Sequence, residues 1–304
     1  MTYMQHLFKM NLYYINWILL MILSAVWGGA FTLNKLALNF YSPEFIVFAR
    51  LIIGTLILFL LLMIIHRRIT ISLRDWQYYL FMSTVGIVAP FILIVYGQQQ
   101  IDSSLAGILM ATMPISTIIL SHFFLHDEKL TRRKFTGFVI AFIGITILVI
   151  QDFSNLKINI LSNISSELMV MSGAILYSCS AVYGKRFKHT DPLSASTGTI
   201  FFSAIMMFIY LLIFVPTEIS NIDLRNSASL VLLGVFCTAI ATIIYFQILQ
   251  TSGASFISIM NYLIPIWAIL FGVIFFQEEI FMNYIVGLIL VILGINISQK
   301  ETVV

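Results

Sequence analysis

The chain is 304 residues long, 60% hydrophobic and only 10% charged, with a mean hydropathy of +1.02. Soluble domains carry about 25% charged residues, so the composition excludes a water-soluble globular protein. The net charge of +3 is small and says little about partners; none of the sequence calls for a nucleic acid.

Apolar runs of about 20 residues recur from end to end, each long enough to cross a hydrocarbon core of about 30 Å. They predict ten spans, at roughly 16–38, 43–65, 76–96, 102–125, 133–151, 166–184, 192–214, 227–249, 253–276 and 281–298. The aromatic-rich stretch Tyr3 to Tyr14 precedes them and reads as an interfacial anchor or a frayed tail. The first run, Trp17 to Leu38, is too long for a signal-peptide core and is read as a retained span. On it Trp27, Phe31 and Asn34 share a helical face, and Lys35 lies about one turn from its end. In the second span Arg50 follows Pro43 by seven residues, about 10 Å along a helix. An arginine inside lipid is costly, about 2.5–3.5 kcal/mol on insertion scales. It is read either as a cavity-facing contact for a carboxylate or phosphate or as a structural cation.

The third span holds Pro90 and closes on Tyr96, Gln98, Gln99 and Gln100. The fourth carries Pro114 near its middle, flanked by Thr112, Ser116 and Thr117. An interior proline frees a carbonyl, so such sites tend to face protein or a water-filled cavity and can hinge. His122 and His126, spaced i, i+4 beside Asp127 and Glu128, match a metal pattern only formally, and no metal is expected there. Gly137 and Gly144 mark the fifth span, and Gln151 to Ser166 is the long polar connector before the sixth, which holds Tyr177 and Lys185. The eighth offers Tyr245 and Gln247, the ninth Asn261, Tyr262, Pro265 and Trp267, and the tenth Gly287 and Gly294. Cys179 and Cys237 lie in apolar runs without metal-site spacing and are read as packing residues.

These marks recur. Gly137 and Gly144 return 150 residues later as Gly287 and Gly294, and Trp27 and Lys35 as Tyr177 and Lys185. Pro114 followed by Leu125-His126-Asp127-Glu128 is echoed by Pro265 followed by Phe276-Gln277-Glu278-Glu279. Such a repeat in an apolar chain points to a transporter. The expected units are residues 1–152 and 153–304, each of five helices. With the N-terminus inside, 12 of the 16 basic residues fall on the inner side and Lys157 and Arg225 on the outer. That bias predicts both termini cytoplasmic and therefore two inverted repeats. The glycine pairs predict a close approach of the fifth and tenth spans. Pro114 and Pro265 are the candidate hinges, and Lys35 and Lys185 either snorkel to the interface or gate the two mouths.

Catalytic signals are poor: there is no P-loop, no GxGxxG after a strand and no HExxH. The acidic residues all fall in loops or near span ends; Glu44, Asp102, Glu167, Glu278 and Glu279 flank spans. With no carboxylate at mid-depth, the expectation is uniport or exchange rather than carboxylate-driven proton antiport.

The chain resembles the ten-helix EamA branch of the drug/metabolite transporter superfamily, from about Trp17 to Ile297. The resemblance rests on Trp27-Gly28, Pro43 with Arg50, and Leu125-His126-Asp127-Glu128-Lys129-Leu130-Thr131 before Gly137. In the second copy it rests on Ser252-Gly253-Ala254, Pro265, Glu278 and Gly287. It implies an all-α inner-membrane carrier with a cavity between the halves, commonly exporting amino acids or related metabolites. The expected function is therefore secondary transport of a small metabolite by alternating access. The alternatives are uptake of a cationic or nucleotide-like metabolite and, further off, a membrane-embedded enzyme. The candidate solute contacts are Trp27, Asn34, Arg50, Tyr96, Gln98, Tyr177, Tyr245, Asn261, Tyr262 and Trp267. The solute and membrane lipid are the expected partners, with no cofactor, and a monomer fits the sequence.

Overall fold

A chain in hydrocarbon has to satisfy its backbone N–H and C=O groups within itself, and the apolar runs do so as helices. The computed structural model describes residues 2–65, 76–125, 131–149, 160–186, 192–214, 227–245, 247, 248, 251 and 260–299. Its ten helices are α1 (Thr2–Leu38), α2 (Pro43–Ile64), α3 (Trp76–Gly97), α4 (Ser103–Phe124) and α5 (Arg132–Val149), then α6 (Ile160–Arg186), α7 (Pro192–Phe214), α8 (Ala228–Tyr245), α9 (Met260–Phe276) and α10 (Met282–Gln299). Six of them hold a stretch of 18 or more residues apolar enough to cross a membrane, and the apolar stretches of α9 and α10 are shorter. Helix α1 runs back through the aromatic-rich segment, and α6 starts earlier than the predicted span, at Ile160. Ser42 caps α2, its hydroxyl accepting from the Phe45 N–H at 3.3 Å, with Pro43 in the first turn.

The helices pair mainly across the two halves. Helix α1 packs on α9 and α8, and α6 packs on α4 and α3. Helix α2 meets α7 and α8, and α3 meets α7; α4 meets α9 and α5 meets α10. Exchanging each helix of the first five for its counterpart in the second five reproduces this set of pairings. The repeat seen in sequence is thus a repeat in packing, and the halves interleave rather than forming separate cores. Large apolar side chains such as Leu60, Phe124, Leu212 and Ile274 point outward, as a lipid-facing belt requires.

The seam between α5 and α10 is a close helix crossing, and glycine makes it. A Cβ on Gly144 would lie 2.8 Å from the Gly287 carbonyl oxygen; one on Gly294 would collide with the Gly137 carbonyl oxygen and sit 2.6 Å from the Ala141 nitrogen. The predicted approach of the fifth and tenth helices is therefore present, with backbone against backbone.

Two helices carry a π-helical turn at the same place in their repeat: Thr84–Val88 in α3 and Val235–Ile240 in α8. In α3 the cause is Pro90, which cannot donate; the Ala89 N–H reaches back five residues to the Thr84 carbonyl. Helix α8 has no proline there, and side chains hold its turn open instead. The Thr238 hydroxyl donates to the Leu233 carbonyl, five residues back, at 2.9 Å.

The two prolines proposed as hinges behave differently. Helix α4 breaks at Met110–Ala111, one turn before Pro114, and the Met113 N–H reaches the Met110 carbonyl that Pro114 leaves without its usual donor. Helix α9 runs unbroken through the buried Pro265.

Candidate functional site

The charge that the sequence places inside the second helix lies in the protein interior. Arg50 is 4% exposed. Its Nε donates to the Thr238 hydroxyl of the α8 π-turn at 3.2 Å, and its guanidinium carbon lies 3.8 Å over the Phe91 ring of α3. Tyr177 of α6 faces Phe91 edge-on, 6.4 Å between centroids, and lies within electrostatic reach of Arg50. Among the described residues the one ion pair is Lys35–Asp102, so no carboxylate there neutralises Arg50. A buried guanidinium held by one hydroxyl and one ring still has planar N–H donors suited to a carboxylate or phosphate.

Helix α1 supplies the opposite wall. The Trp27 indole N–H donates to the Cys237 carbonyl in the same π-turn at 3.2 Å, and its ring lies 5.7 Å from that of Tyr245. Cys237 in turn donates to the Val26 carbonyl at 3.3 Å. Trp27, Arg50, Tyr177 and Tyr245, four residues named from sequence, are thus gathered around one turn of α8. The turn itself was not readable from sequence; its only hint was Pro90 in the equivalent helix.

A polar file continues along α1. The buried Asn34 donates through Nδ2 to Gln98 Oε1 at 3.0 Å, and Gln98 Nε2 donates to the Phe31 carbonyl at 2.9 Å. The Asn34 carbonyl oxygen is buried without a partner. The next residue, Lys35, donates to the Ile101 carbonyl at 2.7 Å and pairs with Asp102 at 3.3 Å.

Other candidates fall elsewhere. The Tyr96 hydroxyl donates to Glu44 at the start of α2, away from Arg50. Trp267 stacks on Phe271 at 5.7 Å and packs its Cβ against Gly28 where α1 crosses α9. Asn261, Tyr262 and Lys185 sit in helices, but their side chains lie outside the described residues, as does His126. No group of three metal-ligating side chains occurs among the described residues.

Beside the Lys35–Asp102 pair a second tie closes the same end of the bundle. The Glu278 carboxylate accepts from the Ser103 N–H at 2.9 Å, the Ser104 N–H at 3.0 Å and both serine hydroxyls, at the N-terminus of α4. Gln277 turns the chain out of α9 with φ 55°, which aims Glu278 back, and Gly272 leaves the room that its carboxylate and Ser104 occupy. Burial pushes this carboxyl up, but the hydrogen bonds from Ser103 and Ser104 outweigh it and hold it below the ordinary value. A carboxylate with a depressed folded value stabilises the protein above the unfolded value of 4.5 and loses that contribution as pH falls through its folded value. Thermal unfolding against pH should therefore show an acid-side decline that is smaller in Glu278→Gln. Parallel declines in the two proteins would contradict the tie.

A family model described as the EamA-like transporter family matches residues 15–150 and again 164–298. The chain is 27% identical over 271 residues to the uncharacterized transporter YoaV of Bacillus subtilis (strain 168), covering 89% of this chain and 91% of that one. It is 27% identical over 289 residues to an uncharacterized transporter of Archaeoglobus fulgidus, covering 94% and 99%. A solved crystal structure superposes with a TM-score of 0.68 at 14% identity, covering 93% of this chain and 96% of that one, a likeness of fold alone.

Proposed function

The chain belongs to the EamA-like transporter family of the drug/metabolite transporter superfamily, a multi-pass membrane transporter and not an enzyme, and from that premise we propose that its cargo is a small metabolite carrying a carboxylate. Amino acids and related zwitterions are the favoured class, moved outward across the cell inner membrane by alternating access. The observation that carries this reading is Arg50: buried over the Phe91 ring, within electrostatic reach of Tyr177, and without an acidic partner among the described residues. Keeping such a charge away from water at membrane depth costs several kcal/mol, of order 2.5–3.5 on insertion scales, which an anionic ligand would offset.

In this reading the aromatic rings pack the solute's side chain, and Asn34 offers its unused carbonyl oxygen to an ammonium group. Asn261 and Tyr262 complete the site from α9, and the helices carrying Pro114 and Pro265 move to open one side at a time. Lys35 and Lys185 guard the two mouths, with both termini in the cytoplasm on the strength of the basic-residue bias. The test is ligand-dependent thermal stabilisation of the purified protein with amino acids, other carboxylates, nucleotides, sugars and lipophilic cations. A rise with amino acids or simple carboxylates supports the assignment. A rise with lipophilic cations alone overturns it.

A further inference from the structure

A buried carboxyl among the described residues has no role in the site described above. Glu167, near the start of α6, is 2% exposed, and its Oε2 is buried with no hydrogen-bond partner. The end of α3 lies against the adjacent turn: a Cβ on Gly97 would come within 2.6 Å of the Ser166 carbonyl oxygen and 2.7 Å of Val170. Among the described residues, the titratable and charged groups at this end of the bundle are Tyr96 at the end of α3, Asp102 ahead of α4, Glu278 and Glu279 ahead of α10, Tyr284 on α10, and Lys35, which pairs with Asp102. Tyr96 is bound to Glu44, Lys35 to Asp102, and Glu278 to Ser103 and Ser104. Tyr284 is within electrostatic reach of Asp102, Glu278 and Glu167 together. Among the described residues the cation named is therefore committed to Asp102, and the others are acids or phenols.

We propose that Glu167 is a proton-binding site, loaded in this closed arrangement and emptied when the Glu278–Ser103–Ser104 tie opens. An ionised carboxylate buried without a donor costs several kcal/mol, about 2–7 for a neutral polar group and more for a charge, and a proton removes that cost. The exchange is a simple one: the carboxylate takes a proton from water at that membrane face and returns it there or to the site. Losing the proton leaves an unpaired negative charge in the packed contact of α6 with α3 and with residues 103–109, and so loosens that contact at the tied end. Helix α6 reaches the rest of the machinery directly. Tyr177 stands ten residues on, about 15 Å at 1.5 Å per residue, and Ser178 donates to the Met113 carbonyl at 2.7 Å, next to the break before Pro114. One helix thus carries the proton site, a ring of the solute site and the stitch across the α4 break. The expectation of uniport or exchange rests on the lack of a carboxylate at mid-depth, whereas what marks Glu167 is burial.

The test needs no solute, so it is independent of the cargo assignment. Infrared difference spectra of the purified protein, taken between mildly acid and mildly alkaline buffer, should show a carboxylic-acid C=O band that is lost in Glu167→Gln and kept in Glu278→Gln. Hydrogen exchange of residues 103–109, compared between proteins at equal pH, should be the same in wild type and Glu167→Gln at acid pH. At alkaline pH it should be slower in the variant, whose neutral amide mimics the loaded carboxyl. If Glu167→Gln does not fold, the band should persist at a shifted frequency in Glu167→Asp. A band unchanged in Glu167→Gln, or equal exchange at both pH values, overturns the site.

Discussion

Arg50→Ala is expected to abolish stabilisation by carboxylate ligands while leaving the ligand-free protein as stable as the wild type, or more so. The two halves of that expectation come from the same geometry. Arg50 is buried against Phe91 with one hydrogen bond, to Thr238, so removing it gives up little pairing and relieves the burial of a charge. A bound carboxylate, by contrast, would lose its counter-charge in a buried site. Truncating one partner of a buried, hydrogen-bonded charge pair costs about 2–5 kcal/mol, or about thirtyfold to a few thousandfold in affinity. Arg50→Lys should fall between, since it keeps the charge but loses the planar fork and the stacking on Phe91. Thr238→Val removes both the acceptor for Arg50 and the donor to the Leu233 carbonyl, and should weaken binding less than Arg50→Ala. Full ligand stabilisation in a folded Arg50→Ala protein would remove Arg50 from the site.

The largest loss of stability is expected at the α5–α10 seam, in Gly294→Leu. A side chain there meets the backbone of Gly137 and Ala141, and backbone cannot rotate aside as a flexible side chain can. Overpacking a core costs about 1–3 kcal/mol when neighbours can adjust, and more when they cannot. Gly144→Leu should behave alike, since its Cβ meets the Gly287 carbonyl oxygen and the Val291 nitrogen at 2.8 and 2.9 Å. Leu293→Ala, one residue from the seam but 49% exposed toward lipid, should change stability by no more than about 0.5 kcal/mol. Thermal unfolding of the three variants decides it: a Gly294→Leu protein that melts with the wild type would mean the helices do not meet as described.

Much of this seam was legible in the sequence, because close helix approach requires small residues at helical spacing and the same pair occurs in both copies. The spans were legible for a similar reason, since the thickness of a bilayer fixes the length of an apolar run. The contacts that shape the interior were less so. Ser103 and Glu278 are 175 residues apart, and nothing local to either predicts that they bond. Tyr96 shares a helix with Phe91 but leaves the interior for Glu44, because the rotation of a helix about its axis depends on neighbours rather than on its own sequence. Glu167 stands at the edge of its apolar run, where a polar residue is ordinary, and only packing reveals that it is enclosed. The π-turn of α8 has no proline to announce it; Thr238, Trp27 and Arg50 converge on it from three helices.

That turn also bears on the history of the chain. A π-turn is a single residue inserted into an α-helix, and both copies carry one at the same point of their repeat. A shared position is what duplication of one half-length unit already carrying the turn would leave, with Pro90 and Thr238 keeping it by different means. The charge beside it did not stay paired: counting from Pro43 and Pro192, the counterpart of Arg50 is Thr199. The two halves thus share a joint but differ in chemistry: the first carries the cation and the Phe91 ring beneath it, and the second carries the Thr238 hydroxyl that accepts from it.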